Sequence, residues 1–156
     1  PVAVRYPKCG EGRYTGGGVT AAEVLRAGAD FTLVTYGTLV NTALGAADEL
    51  ALSGISVELV KLGRISPMDY DLIETSVSKT RRLLVLEDCV AAGCVGERIL
   101  ARLSERGILP ETAILKNVGA RHIPCGSLAE LQKLCGLDAE SVARAVWEAL
   151  REKDAS

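Results

Sequence analysis

The residues with the most chemical promise lie in one stretch, EDCVAAGCVGERI at 87–99. Glu87 and Asp88 end an apolar run, and a turn of small residues then launches a helix through Gly93 and Gly96. Glycines at such a launch let a helix N-terminus approach other backbone closely. Two readings stay open: a tight strand-to-helix connection, which needs those glycines anyway, or an edge packed on a second polypeptide. His122 is the only histidine. Any Ser/His or Cys/His pair therefore has one available base, and no nucleophile elbow or papain-type signature surrounds a candidate nucleophile. In its setting, ARHIPCG, it reads as a surface or satisfied loop residue.

The remaining reactive residue types point the same way. Cys9, Cys89, Cys94, Cys125 and Cys135 are odd in number, and no two have the spacing of a zinc knuckle or redox pair. Scattered free thiols suit a reducing cytosol, where Cys acts as a small apolar filler. The carboxylates Glu23, Asp30, Asp48, Glu49, Glu58, Asp69, Asp71 and Glu74 fall mostly on expected helix faces or loops, with no acid/base pairing. The glycines of CGEGRYTGGG, 9–18, lack the strand–turn–helix setting and the spacing of a phosphate loop, so the stretch reads as a linker or surface loop. From residues alone, no self-sufficient active site is legible.

The elements that would position these residues are clearer. At 156 residues, with 48% hydrophobic and 24% charged side chains, the chain has the balance of one globular domain. A formal charge of -2 gives no electrostatic reason to bind nucleic acid or anionic lipid, and no apolar run is long enough for a membrane span or an export signal. With one Phe and one Trp, aliphatic side chains must build the core.

Alternation predicts a strand over 2–6, stopped by Pro7. Near-continuous apolar runs predict buried strands at 31–37 and 81–88, and further strands follow at 55–62 and 111–119. Helical spacing fills the gaps: one helix N-capped by Thr38 and stopped at Gly54, a short one starting near Pro67, and one over 93–107. Two terminal helices follow, the second N-capped by Asp138. This alternation predicts an α/β fold: three layers around a mostly parallel sheet of four to five strands with right-handed crossovers. Ligands or partners of such sheets meet the carboxyl ends of the strands, here 36–38, 62–64, 87–89 and 117–119.

Four stretches carry a family resemblance: VAVRYPK, RISPMDYDLI, LVLEDCVAAGCVGERIL and HIPCGSLAELQKLCGLDAESVARAV. In this order and spacing, with DFTLVTYGTLVNTALGAADEL between the first two, they resemble the C-terminal domain of the transketolase superfamily. The form most resembled is that of the 1-deoxy-D-xylulose-5-phosphate synthases. The resemblance implies a parent enzyme that joins pyruvate to glyceraldehyde 3-phosphate with loss of carbon dioxide, for isoprenoid, thiamine and pyridoxal synthesis. It also implies thiamine diphosphate and Mg²⁺ held by two preceding domains, and a cytoplasmic homodimer.

The chain is then expected to be a fragment, inactive alone and without a cofactor of its own. Residues 1–8 would be the tail strand of the preceding catalytic domain, 9–18 an interdomain linker, and 19–156 the C-terminal domain. Lys8, after Tyr6-Pro7, stands where the family normally has an arginine that grips the acceptor phosphate. The same resemblance puts Arg64, Asp69, Glu87, Gly93 and Gly96 near a subunit interface. The sequence departs from the family at Gly93-Cys94-Val95-Gly96, where one glycine of a Gly-Gly-x-Gly turn is replaced, and at Cys125, where many members have His. VKLGRISPMD is closer to 2-oxoacid dehydrogenase E1 β subunits. That domain in an E1 β subunit or a transketolase is the alternative, as is a free-standing α/β binding module.

Overall fold

Side chains that alternate along the central strands divide the core into two clusters, one on each face of a sheet. Phe31 and Leu33 of β2 (Phe31–Thr35), Leu59 of β3 (Val57–Leu62), and Leu84 and Leu86 of β4 (Arg82–Leu86) face one cluster. Val34, Val60, Leu83 and Val85 face the other. A strand covered on both sides must be apolar at nearly every position, and β2 is buried at all five. Its two threonines are satisfied internally: the Thr32 and Thr80 hydroxyls lie 2.7 Å apart, and Thr35 donates to the Leu86 carbonyl at 2.9 Å.

The structure is a computed structural model that describes residues 1–4, 12–16, 20–120 and 122–154, the last three for their backbone only. Two further strands complete the sheet, β1 (Ala22–Arg26) and β5 (Thr112–Lys116). The order is β1-β3-β2-β4-β5, with β1 antiparallel to β3 and the other pairs parallel. Five mostly parallel strands between helical layers match the expected α/β architecture. The first cluster is covered by α1 (Leu39–Leu52) and α5 (Ala139–Asp154), with a short α4 (Leu128–Cys135) leading into the latter. The second is covered by α2 (Tyr70–Thr80) and α3 (Val95–Glu105). Among the described residues no helix is long and apolar enough to cross a membrane.

Local details depart from the sequence reading at four places. β1 was not anticipated as a strand. The strand expected over 2–6 is absent from the described residues 1–4, where Val2 and Val4 are exposed and without a pairing partner. Thr38 precedes α1 in helical geometry and makes no side-chain cap. The helix expected near Pro67 begins at Tyr70, because the Asp69 side chain accepts from the Leu72 N–H at 3.3 Å and so sets the N-terminus. The Asp138 cap does form: its carboxylate accepts from Ser141 N–H at 3.1 Å.

Candidate functional site

In the order β3-β2-β4-β5 the connection after β2 runs to one side of the sheet, and the connection after β4 runs to the other. Between the carboxyl ends of β2 and β4 the chain therefore diverges, and wound sheets offer their crevice at such a point. Tyr36 follows β2 there and Glu87 follows β4. Parallel pairing brings together two residues 51 apart in sequence, and the Tyr36 hydroxyl donates to Glu87 Oε2 at 3.1 Å.

Glu87 is 1% exposed, whereas its neighbour Asp88 faces solvent. The first turn of α3 points its backbone donors at the buried carboxylate. Val95 N–H bonds Oε2 at 2.8 Å and Gly96 N–H bonds Oε1 at 2.7 Å. A negative charge against the unsatisfied N–H groups of a helix start is favourable, and burial strengthens it. Cys89 Sγ lies 3.7 Å from Oε2 as a weak further donor. The glycines fit this geometry. A Cβ on Gly96 would sit 2.6 Å from Leu115 Cδ2 and 3.1 Å from Glu87 Oε1, so only glycine lets α3 come this close to the sheet. Gly93 turns the strap that joins β4 to α3, residues 87–94, with φ +74° and donates to the Glu97 carboxylate at 2.8 Å. Ladder bonding continues past the strands, from Glu87 N–H to the Lys116 carbonyl and from Val118 N–H to the Cys89 carbonyl, both at 2.9 Å.

The electrostatics make this cluster a set of donors around one acceptor. Burial, reinforced by the Glu87 charge, pushes the Cys89 thiol up to about 11 and raises the Tyr36 hydroxyl as well. Burial also raises Cys94, the residue preceding α3. At neutral pH all three stay protonated, so neither sulfur is an activated thiolate. Both Glu87 oxygens are already engaged. As arranged, the carboxylate anchors α3, the loop before it and Tyr36, and its burial leaves it no surface at which to meet a substrate as a general base.

The other expected site residues are spread along the same edge. Arg64 is exposed after β3, its backbone N–H bonded to the Ala21 carbonyl at 3.1 Å and its guanidinium in no ion pair among the described residues. Asp69 serves as the α2 cap. Both follow β3, on the far side of β2 from Glu87, so the structure brings Glu87, Gly93 and Gly96 together and leaves Arg64 and Asp69 apart. Lys8 lies outside the described residues. His122 is exposed. Among the described residues no group of three or more His, Cys, Asp or Glu could hold a metal ion. The described residues of this domain therefore do not fit a Mg²⁺ site.

Sequence reading missed how residues 12–16 are held. Arg13 pairs with Asp48 of α1 at 2.6 Å, and Asp48 also pairs with Arg26. Tyr14 N–H donates to Asn41 at 2.7 Å. Its hydroxyl donates to Glu23 and accepts from Lys61, both at 2.8 Å, and the Lys61 ammonium lies 4.7 Å from the ring centroid. These residues, part of a stretch read as a linker or surface loop, are held across α1, β1 and β3. The Arg-Tyr dipeptide between glycines was the available signal.

Residues 20–142 match the family model of the transketolase C-terminal domain. The chain belongs to that family. Its relatives include the β subunit of the pyruvate dehydrogenase E1 component from Bacillus subtilis (strain 168), 39% identical over 99 residues. That alignment covers 64% of this chain and 30% of the relative, so the domain spans under a third of that subunit's length. The corresponding subunit of Staphylococcus aureus (strain Mu50 / ATCC 700699) matches with the same identity and coverage. Among solved structures, a split-gene transketolase in an inactive beta4 tetramer superposes with TM-score 0.74 at 27% identity, over 94% of this chain and 46% of that one. A Pichia stipitis transketolase, with TM-score 0.59 and 20% identity over 82% of this chain and 18% of that one, shares the fold. The family belongs to thiamine diphosphate-dependent enzymes, and its members are domains of larger enzymes. The finer expectation, a 1-deoxy-D-xylulose-5-phosphate synthase, finds no specific match among these relatives, which favour the alternative.

Proposed function

We propose that this chain is the C-terminal domain of a 2-oxoacid dehydrogenase E1 β-type subunit. Its own part is to hold and orient neighbouring domains, and it is inactive alone. The observation that carries this reading is the 39% identity to pyruvate dehydrogenase E1 β subunits. The Glu87 anchor supports an architectural role, since it ties the carboxyl edge together while the carboxylate itself is buried. Residues 1–8 would then close the preceding catalytic domain, 9–18 would connect, and 19–156 would form this domain. The edge bearing Arg64, Asp88 and the Gly93–Gly96 turn would face the neighbouring polypeptide, a second copy in a symmetric assembly. Thiamine diphosphate and Mg²⁺ would be held by the other domains, in the cytoplasm.

A second reading, the synthase, rests on Tyr6-Pro7-Lys8 and the GLDAESVA start of the last helix. There Lys8 would grip the acceptor phosphate as a point charge rather than a two-pronged donor. One experiment separates the two. The full-length parent, with its partner subunit if it has one, is loaded with thiamine diphosphate and Mg²⁺ and given pyruvate. It then receives either a two-electron oxidising dye or glyceraldehyde 3-phosphate. Dye reduction without a ketose phosphate product is expected. Formation of that product, lost in Lys8→Ala through a raised KM for the aldehyde, would replace the first reading with the second.

A further inference from the structure

The opposite end of the sheet carries an arrangement that the scaffold role leaves unexplained. A cavity of about 380 Å³ lies among the starts of β2 and β4, the end of α1 and the last turns of α5. Asp30, Ile55, Arg82, Trp147, Leu150 and Arg151 form most of its wall. Among the described residues its charges are not fully matched. Arg82 spends Nη1 on the Asp30 carbonyl at 3.3 Å, but its Nε is buried with no acceptor. The Asp30 carboxylate is engaged by Ser56 N–H at 2.7 Å. Arg151 stacks over the Trp147 ring at 4.3 Å, and neither it nor Arg82 has a carboxylate partner among the described residues. Adjacent Arg81, by contrast, pairs with Glu111 at 2.7 Å.

A buried guanidinium N–H without an acceptor is destabilising, and native structures commonly answer such a gap with water or an ion. With Nη1 occupied, the edge left on Arg82 is the Nε/Nη2 edge, which holds an oxyanion side-on through two parallel bonds. Trp147, 41% exposed, and the aliphatic Ile55 and Leu150 offer a flat apolar wall beside it. The lining is more polar than apolar, and its charged groups converge beside this one apolar wall, which suits a small ligand with an anionic head. Nε is buried, so side-on binding requires a wall side chain to rotate, a nanosecond event for exposed residues.

The geometry points to an effector pocket for a small organic oxyanion, a carboxylate or phosphate on a flat apolar body. Arg82 and Arg151 hold the charge, and Trp147 carries the body. The pocket is independent of the role proposed for the carboxyl edge, and it would stand if that role fell.

Trp147 is the chain's only tryptophan, so its emission reports on the cavity directly. The protein is titrated at low salt with inorganic phosphate, adenosine monophosphate and benzoate, exciting at the red edge and checking each by calorimetry. Saturable quenching by at least one probe is expected, weakened about tenfold in Arg82→Gln and in Arg151→Ala. Response to phosphate alone assigns a phosphate site. Response to benzoate alone assigns a carboxylate, and response to the nucleotide alone shows that head and flat body are both required. Arg151 is exposed, so its variant keeps the fold and decides the matter if Arg82→Gln does not fold. No saturable signal up to about 10 mM, or unchanged affinity in the variants, overturns the proposal.

Discussion

Replacing Glu87 by glutamine removes one charge and no volume, and its consequence follows from the bonds around that carboxylate. Two backbone donors of α3, from Val95 and Gly96, end on separate carboxylate oxygens at 2.8 and 2.7 Å. The glutamine amide has one oxygen, so its NH₂ group must face the second donor. A buried N–H left without an acceptor costs about 1–3 kcal/mol. Losing a negative charge at a partly buried helix N-terminus costs up to about 2 kcal/mol more. Relief of the desolvation that a buried carboxylate suffers acts in the opposite direction and trims the total. The net is about 3 kcal/mol, a large share of a stability on the order of 5–15 kcal/mol. In a domain of this size each kcal/mol moves Tm by about 2–4 °C, so calorimetry of Glu87→Gln should show a fall of about 6–12 °C. Asp88→Asn, one residue away and exposed, should leave Tm unchanged. A Glu87→Gln shift under about 2 °C, or one matched by Asp88→Asn, would mean that the carboxylate does not anchor α3.

Gly96→Ala tests the same contact sterically. Overpacking against Leu115 and Val85 costs about 1–3 kcal/mol and outweighs the roughly 1 kcal/mol that alanine adds in a helix, so the urea midpoint should fall. A higher midpoint would refute the close approach. With its thiol at about 11, Cys89 should alkylate with half-maximal rate near that pH and more slowly at pH 7 than exposed Cys125. Faster labelling of Cys89 at neutral pH contradicts the buried-thiol reading. The Tyr14 amide, bonded to Asn41, should exchange far more slowly than a free linker amide, and Asn41→Ala should abolish that protection. Lys61 and Tyr14 hold the Glu23 carboxyl below its ordinary 4.5, and Arg13 and Arg26 hold Asp48 below 3.8. These depressed groups contribute fully above their ordinary values, and the contribution fades as pH falls through the lowered ones. Burial pulls Lys61 down, but its bonds to Glu23 and Tyr14 raise it above 10.5, so its share is lost only as pH rises past that. Tyr14 protection should therefore be flat across neutral pH and drop at both extremes. Coil-like exchange at pH 7 would show residues 12–16 unlatched.

What the sequence made legible tracks how local each cause is. The strands β2, β3 and β4 announce themselves because burial on both faces demands near-continuous apolar runs such as FTLVT and LLVL, a demand met within the strand itself. β1 gives no such signal. AEVLR is half-buried, carries charges at its second and last positions, and becomes a strand only by pairing with β3, which lies more than thirty residues later. The start of α2 shows two local signals in competition. Pro67 is tolerated at a first helical position, but the Asp69 side chain bonds the Leu72 amide and the helix begins after it. Thr38 has the residue type for a cap and the wrong backbone for it, already helical at φ -66° and ψ -24°.

The candidate site divides along the same line. Gly93 and Gly96 could be picked out because a strand-to-helix turn needs them. The partnership of Tyr36 with Glu87 could not, since it exists only once the order β2-β4 is set. That partnership also decides which of the two readings of EDCVAAGCVGERI holds for Glu87 itself. A residue poised for a reaction keeps an acceptor open toward substrate, and one that meets a partner keeps surface. Glu87 has no surface for either task, being 1% exposed with each oxygen bonded inside the domain. Under the proposed scaffold role, contact with a neighbouring polypeptide would fall to what the anchor holds in place, the exposed Asp88, Val90 and Gly93. The buried carboxylate governs that contact only by keeping the strap in one conformation.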